Sequence, residues 1–222
     1  MYRVNRSNLR TSKLSRQVLL DRWQALQRQR LHTGRQLVAE LGVDLSVPDE
    51  DQHYPPDDFL DSQSGAQYFL HRHDAETLGI TTHIHFFKRW SSPKLKDAGP
   101  ASTTTHLVAL ELDQNGSPAH WFTVNQWVVG DYWLSADETV KLFDGWGFSS
   151  KGLAAAGAWG FWHQWLATLV NVHLHGVIYD LLQQRDIKLD AMLQDQPDLN
   201  VLQDRSFEVF DRVVFDGKDA LN

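Results

Sequence analysis

Two His-x-His pairs, His71/His73 and His83/His85, lie in short stretches that alternate histidine with apolar residues. Successive side chains of a β-strand point to opposite faces, so residues two apart share one. Tyr68-Phe-Leu-His-Arg-His73 and Thr82-His-Ile-His-Phe-Phe87 therefore read as strands with imidazoles on one face. Tyr68, Leu70, Ile84 and Phe86 fall on the other. This restricts the chain to folds in which a sheet buries one face and presents histidines on the opposite one. Opposing His71 to His85 and His73 to His83 in an antiparallel hairpin puts four rings in one patch, because directly opposed residues share a face. A slip of one residue would destroy that patch. His106 follows in a third segment, where it alternates with Val108, Leu110 and Leu112, and from there it can approach the same patch.

The flanking sequence supplies helices. Leu19, Trp23, Leu26, Leu37, Val38 and Leu41 recur at helical spacing over residues 13–41, with a break expected at Gly34 and an end at Gly42. Residues 44–66 read as a long irregular loop, since Pro48 and Pro55-Pro56 disfavour regular structure. Strands are expected over 68–73, 82–90, 105–112 and 119–129, with a hairpin turn at Asn115-Gly116. A short helix over 136–147 and a Gly/Ala/Ser-rich loop over 148–160 precede a long helix over 161–184. That helix is apolar on most sides and therefore buried. Residues 206–215 read as a last strand. The expected fold class is α+β: an antiparallel meander of about four to five strands packed with an N-terminal amphipathic helix and a long buried helix in the C-terminal half. Residues 15–222 are expected to form one domain behind a flexible basic arm, 1–14.

Composition narrows the chemistry. The 222 residues contain no cysteine, which removes disulfides, thiolate metal sites and thiol catalysis. The net charge of −7 is unevenly distributed, and the basic N-terminal stretch faces an acidic one between Asp44 and Asp61. The expectation is pairing within the chain rather than nucleic-acid binding. No apolar run is long enough to span a membrane and no signal-peptide core is visible, so a cytoplasmic location is expected. Phosphate-binding glycine loops, the serine-hydrolase elbow and His-Glu-x-x-His are all missing from the sequence.

Imidazole is a frequent metal ligand, and a site needs three or four N/O donors. The candidate ligands are His71, His73, His83, His85 and His106. Glu76 is a candidate carboxylate, and His53 and Tyr54, in the acidic loop, are candidates for an outer shell that folds over the histidines. A donor set without thiolate suits a transition metal, with zinc or iron expected. The alternative is a non-catalytic interaction module, in which the histidines are structural and a surface rich in the chain's nine tryptophans meets a small molecule or a protein partner. His-x-His before Glu76 resembles the metal motif of cupins. The His-to-Glu gap is too short, however, and the helical flanks leave too few strands for a complete double-stranded barrel.

Across most of the chain from about residue 15, a set of strings resembles an uncharacterised bacterial protein family of about this length. They are His53-Tyr-Pro-Pro-Asp-Asp-Phe59, Ala66-Gln-Tyr-Phe-Leu-His-Arg-His73, His83-Ile-His-Phe-Phe87, His106-Leu-Val-Ala-Leu110 and Trp121-Phe-Thr-Val-Asn-Gln-Trp127. The resemblance implies a bacterial protein and carries over no activity and no catalytic residues.

Overall fold

A computed structural model describes residues 13–42, 52–75, 79–91, 103–113 and 115–215. Six strands form one sheet in sequence order, each antiparallel to the next. They are β1 (Tyr54–Leu60), β2 (Ala66–Ala75), β3 (Gly79–Trp90), β4 (Thr103–Leu112), β5 (Pro118–Val124) and β6 (Val209–Val214). The expected meander is present, with one strand more than expected. The extra strand, β1, lies within residues assigned above to a loop. Proline is tolerated on an edge strand because one side of its backbone has no ladder to serve. β1 is such an edge, and its pairing with β2 shifts between Tyr54 and Phe59, across the two prolines.

One face of the sheet forms the main core. Tyr68, Leu70, Ile84, Phe86, Val108, Leu110 and Trp121 are fully buried there. They meet α1 (Lys13–Thr33) and α6 (Gly160–His173), which pack on each other. Burying each large apolar side chain contributes roughly 1.5–3 kcal/mol. The tryptophans mostly serve this core: Trp23, Trp121, Trp146, Trp162 and Trp165 are buried, and no tryptophan is among the exposed large hydrophobic residues. Three of these buried indoles have acceptors, while the Nε1 atoms of Trp23 and Trp121 have none among the described residues. Trp146 Nε1 donates to the Phe87 carbonyl, Trp165 Nε1 to Gln27 and Trp162 Nε1 to Glu40. Trp90, Trp127, Trp133 and Trp159 are half-buried.

α1 stops at Thr33, where Gly34 takes a φ of 63° and turns the chain into α2 (Leu37–Glu40). β5 ends at Val124, earlier than the expected 129. Asn125 caps α3 (Gln126–Val129) by accepting from the Gln126 N–H, so the tail of that apolar run is helical. α4 (Ala136–Phe143) has a capping box formed by Ser135 and Glu138. The expected loop over 148–160 contains α5 (Ser150–Ala155), whose first turn is capped by Ser149. The long helix runs beyond its expected end. α6 passes through a π-helical turn (Leu174–Ile178) with Gly176 outside helical geometry, then continues as α7 (Tyr179–Asp195). No described helix is long and apolar enough to cross a membrane. Of the acidic stretch expected to pair with the basic N-terminus, residues 44–51 lie outside the described residues; in the described part Asp58 bonds to His53 and Gln67, and Asp61 to Ser64 and Ser149.

His163 of α6 is buried in this core. It stacks on Phe148 at 3.9 Å and its Nδ1 lies 3.1 Å from the Tyr68 hydroxyl. Burial pushes its pKa down to about 4, against the opposing charge of Asp61.

Two outcomes are expected. Gly65, with φ 74°, sits so close to β3 that an added Cβ would stand 2.1 Å from the Arg89 carbonyl oxygen. Gly65→Ala should cost well over 2 kcal/mol in urea denaturation, whereas Gly34→Ala, with open space around it, should cost about 1–2 kcal/mol. For His163, the folded pKa lies below the unfolded value. The stability gained by keeping the ring neutral is therefore complete above pH 6.5 and is lost as pH falls from about 6.5 through about 4. Unfolding midpoints at pH 7 and pH 4.5 should accordingly differ less in Tyr68→Phe/His163→Phe than in the wild type.

Candidate metal centre

The second face of the sheet carries the imidazoles. β2 and β3 pair with His71 opposite His83, Phe69 opposite His85 and His73 opposite Thr81. The expected pairing of His71 with His85 and His73 with His83 is thus corrected by two residues. Because the correction is even, it moves the rings along the strand and leaves them on the same face. The His73 side chain and the whole of Glu76 lie outside the described residues.

On β4 simple alternation would place His106 with Val108 and Leu110, in the main core. A β-bulge prevents this. Phe86 pairs with Val108 and Phe87 pairs with His106, so Leu107 is an extra residue on β4. Leu107 joins the main core, and His106 turns onto the imidazole face. Bulges re-aim side chains in this way.

The rings meet closely. The Nε2 atoms of His71 and His85 are 2.8 Å apart, and His85 Nδ1 is 3.1 Å from His106 Nε2. The His71 and His83 ring centroids are 4.2 Å apart and nearly perpendicular. One nitrogen from each of His71, His83 and His85 falls within 4.8 Å of the others. The surroundings are apolar. Phe69 stacks on His85 at 5.3 Å, Phe122 meets His83 edge-on at 5.3 Å, and Phe87 lies 5.1 Å from His106. Ala109, Phe122 and Val124 form a small apolar cluster under α3. His85 is 1 % exposed, and His83 and His106 are also buried.

Behind His106 lies a buried polar group that the sequence did not single out. The His106 backbone N–H donates to Asp131 Oδ2 at 2.7 Å. Burial raises the Asp131 pKa to about 6, while the hydrogen bond from His106 and the charge of Arg185 hold it back. Arg185 is itself buried, donates to the Leu134 carbonyl and lies 4.1 Å over the Trp133 ring. Burial, followed by the charges of Arg185 and His71, pushes His106 down to about 3, while a hydrogen bond to the Val108 backbone opposes the shift. His106 is therefore a neutral imidazole at pH 7. With one ring nitrogen turned to Val108, its Nε2 is left as an acceptor facing His85 Nδ1.

The outer-shell candidates separate. His53 stacks on Phe69 at 3.6 Å and lies 6.3 Å from His71, at the rim of the cluster, with Nδ1 3.0 Å from Asp58. Tyr54 instead packs against the main core, on the far side of the sheet, so it is not part of this shell. Strand alternation explains the split once residues 54–60 are a strand: neighbours in sequence face opposite ways. A carboxylate that does reach this face is Glu111, directly opposite His83 across β3 and β4. It pairs with Arg212 and lies 3.5 Å from His120.

Asp131 satisfies the backbone of the strand that carries His106, so Asp131→Ala should destabilise the protein by about 1–3 kcal/mol in urea denaturation, the cost of a buried N–H left without an acceptor. Asp131→Asn keeps a carbonyl oxygen there and should cost less.

No curated protein and no solved structure matches the chain. A family described as Domain of unknown function (DUF6969) matches residues 18–215, taking in all six strands and every described helix apart from the first five residues of α1. The chain belongs to the DUF6969 family.

Proposed function

We propose that this is a metal-binding protein that holds one transition-metal ion, zinc or iron, on His71, His83 and His85, with His106 as the group that orients His85. The observation that carries this reading is the convergence of three imidazole nitrogens within 4.8 Å of one another in an apolar setting. Zinc bonds nitrogen at about 2.0–2.1 Å, so tetrahedral ligands lie about 3.3 Å apart. The His71–His85 contact of 2.8 Å must then open by only about half an ångström. Metal-bound imidazoles generally give their second N–H to an acceptor that fixes their tautomer. His106 Nε2 stands where His85 Nδ1 needs that acceptor. Three neutral protein ligands leave a coordination position open, and a metal bound in this way supplies Lewis acidity. His73 remains a candidate fourth ligand through its place two residues from His71 on the same strand. The reading takes residues 15–222 as one working unit, supported by the family match over 18–215 and by the single sheet.

Untagged protein from metal-replete cells should contain close to one equivalent of zinc or iron by elemental analysis. His83→Ala/His85→Ala should lose it while keeping the wild-type circular dichroism. His106→Phe should weaken metal binding by about 10–100-fold, the usual effect of removing such an outer partner. Protein that purifies without metal and takes up none on titration with zinc or ferrous ion would overturn the proposal and leave the imidazoles as a hydrogen-bonded structural cluster.

A further inference from the structure

On the helical side of the sheet, away from the imidazole cluster, lies a cavity of about 700 Å³. It is bounded by Leu19 and Arg22 of α1, by Trp146 and Phe148 in the turn after α4, and by His163 and Asn171 of α6. Its volume is within the ordinary range of small-molecule sites, which combine apolar walls with a few placed polar groups.

The polar groups are specific. The Tyr68 hydroxyl is wholly buried, and the partner it meets among the described residues is His163 Nδ1. A buried hydroxyl left without an acceptor is costly, so the hydroxyl donates and Nδ1 accepts. The imidazole proton therefore sits on Nε2. His163 is 3 % exposed and lines the cavity, and its Nε2–H has no acceptor among the described residues. At the mouth, Arg22 gives one N–H to Gln164 and keeps further donors. Asn171 spends both amide hydrogens on the carbonyls of Trp146 and Ala167. The nearby carboxylates are engaged: Asp61 accepts from Gln63, Ser64 and Ser149, and Asp144 at the rim faces His175. The cavity thus offers an unused neutral N–H at its wall and a guanidinium at its entrance, with aromatic and aliphatic walls between.

We propose that this cavity binds a small carboxylic acid with an apolar body. The carboxylate takes the His163 Nε2–H and the Arg22 guanidinium, and the apolar part lies against Leu19, Trp146 and Phe148. The site shares no residue with the imidazole cluster, so its occupancy does not depend on the metal reading.

The test is titration of the full chain with hexanoate and phenylacetate, and with the size-matched amines hexylamine and phenethylamine, followed by the side-chain N–H signals of His163 and Trp146 in 1H–15N NMR. The acids should shift both signals saturably at millimolar concentrations, and the amines should not. Arg22→Gln changes an exposed side chain and should leave the fold intact while weakening acid binding by about tenfold, the value of one charge-assisted hydrogen bond. Ala167→Phe, which fills the cavity, should abolish both shifts, and Tyr68→Phe/His163→Phe, which lacks the His163 signal, should abolish that of Trp146, each in protein whose unfolding transition remains cooperative. Equal binding of acids and amines, shifts that persist in Arg22→Gln and Ala167→Phe alike, or no saturable shift with either acid would overturn the proposal.

Discussion

The pairing of β2 with β3 is the constraint on which both sides of this molecule depend. Each strand gives its even-numbered residues to the helical core and its odd-numbered residues to the imidazole face. Tyr68, Leu70, Ile84 and Phe86 anchor the register through burial, because a slip of one residue would drive Arg72 and the histidines' neighbours to the wrong sides. The imidazoles inherit that precision without stabilising it much themselves. Rings buried among Phe69, Phe87 and Phe122 need partners for their nitrogens, since a buried polar group without one costs about 1–3 kcal/mol. The chain from His106 through His85 to His71 supplies part of this with one contact per ring pair, and the Val108 backbone supplies the other partner of His106.

The two buried histidine systems divide the labour differently. His163 is held neutral by burial in an aromatic cage and is tied to one hydroxyl. His106 is held neutral by burial as well, but also by the positive charge of Arg185. Arg185 therefore acts in two directions. It favours the ionised form of Asp131, which braces the strand, and disfavours the ionised form of the imidazole above it. A cation set behind a cluster of bases keeps their lone pairs available.

Much of this was legible in the sequence because it depends on period alone. The alternation at 68–73 and 82–87 fixed which residues share a face, and the Asn115-Gly116 step marked the β4–β5 turn. Register was not legible, because a slip of two residues preserves every face; only the packing of whole strands decides it. The bulge at Leu107 carries no glycine or other local signal, so although His106 was a candidate ligand, alternation alone grouped it with Val108 and Leu110 and gave no account of how it reaches the imidazole face. Pro55-Pro56 signalled a loop, and only the tertiary fact that β1 lies at the sheet edge makes a strand there tolerable. α5 was missed although Ser149 and the alanines after it carry a cap and good helix propensity; the glycines in the same stretch outweighed them. Asp131 and Arg185 are too far apart in sequence for any local pattern to join them.

An open sheet has two rims, and each rim is a template on which a foreign strand can dock and propagate. At one rim, the tandem prolines of β1 remove two backbone donors outright. At the other, β6 carries exposed valines at 209 and 214 and would be the more adhesive of the two. Two of its backbone groups are occupied by side chains of the same molecule. The Phe210 carbonyl accepts from Lys188 Nζ at 2.8 Å, and the Arg212 N–H donates to the Asp211 carboxylate at 2.9 Å. Residues 210 and 212 point the same way along the strand, so these two side chains close consecutive rungs of the ladder. The two rims are thus blunted by different means: missing donors at β1, and side chains bonded to the backbone at β6.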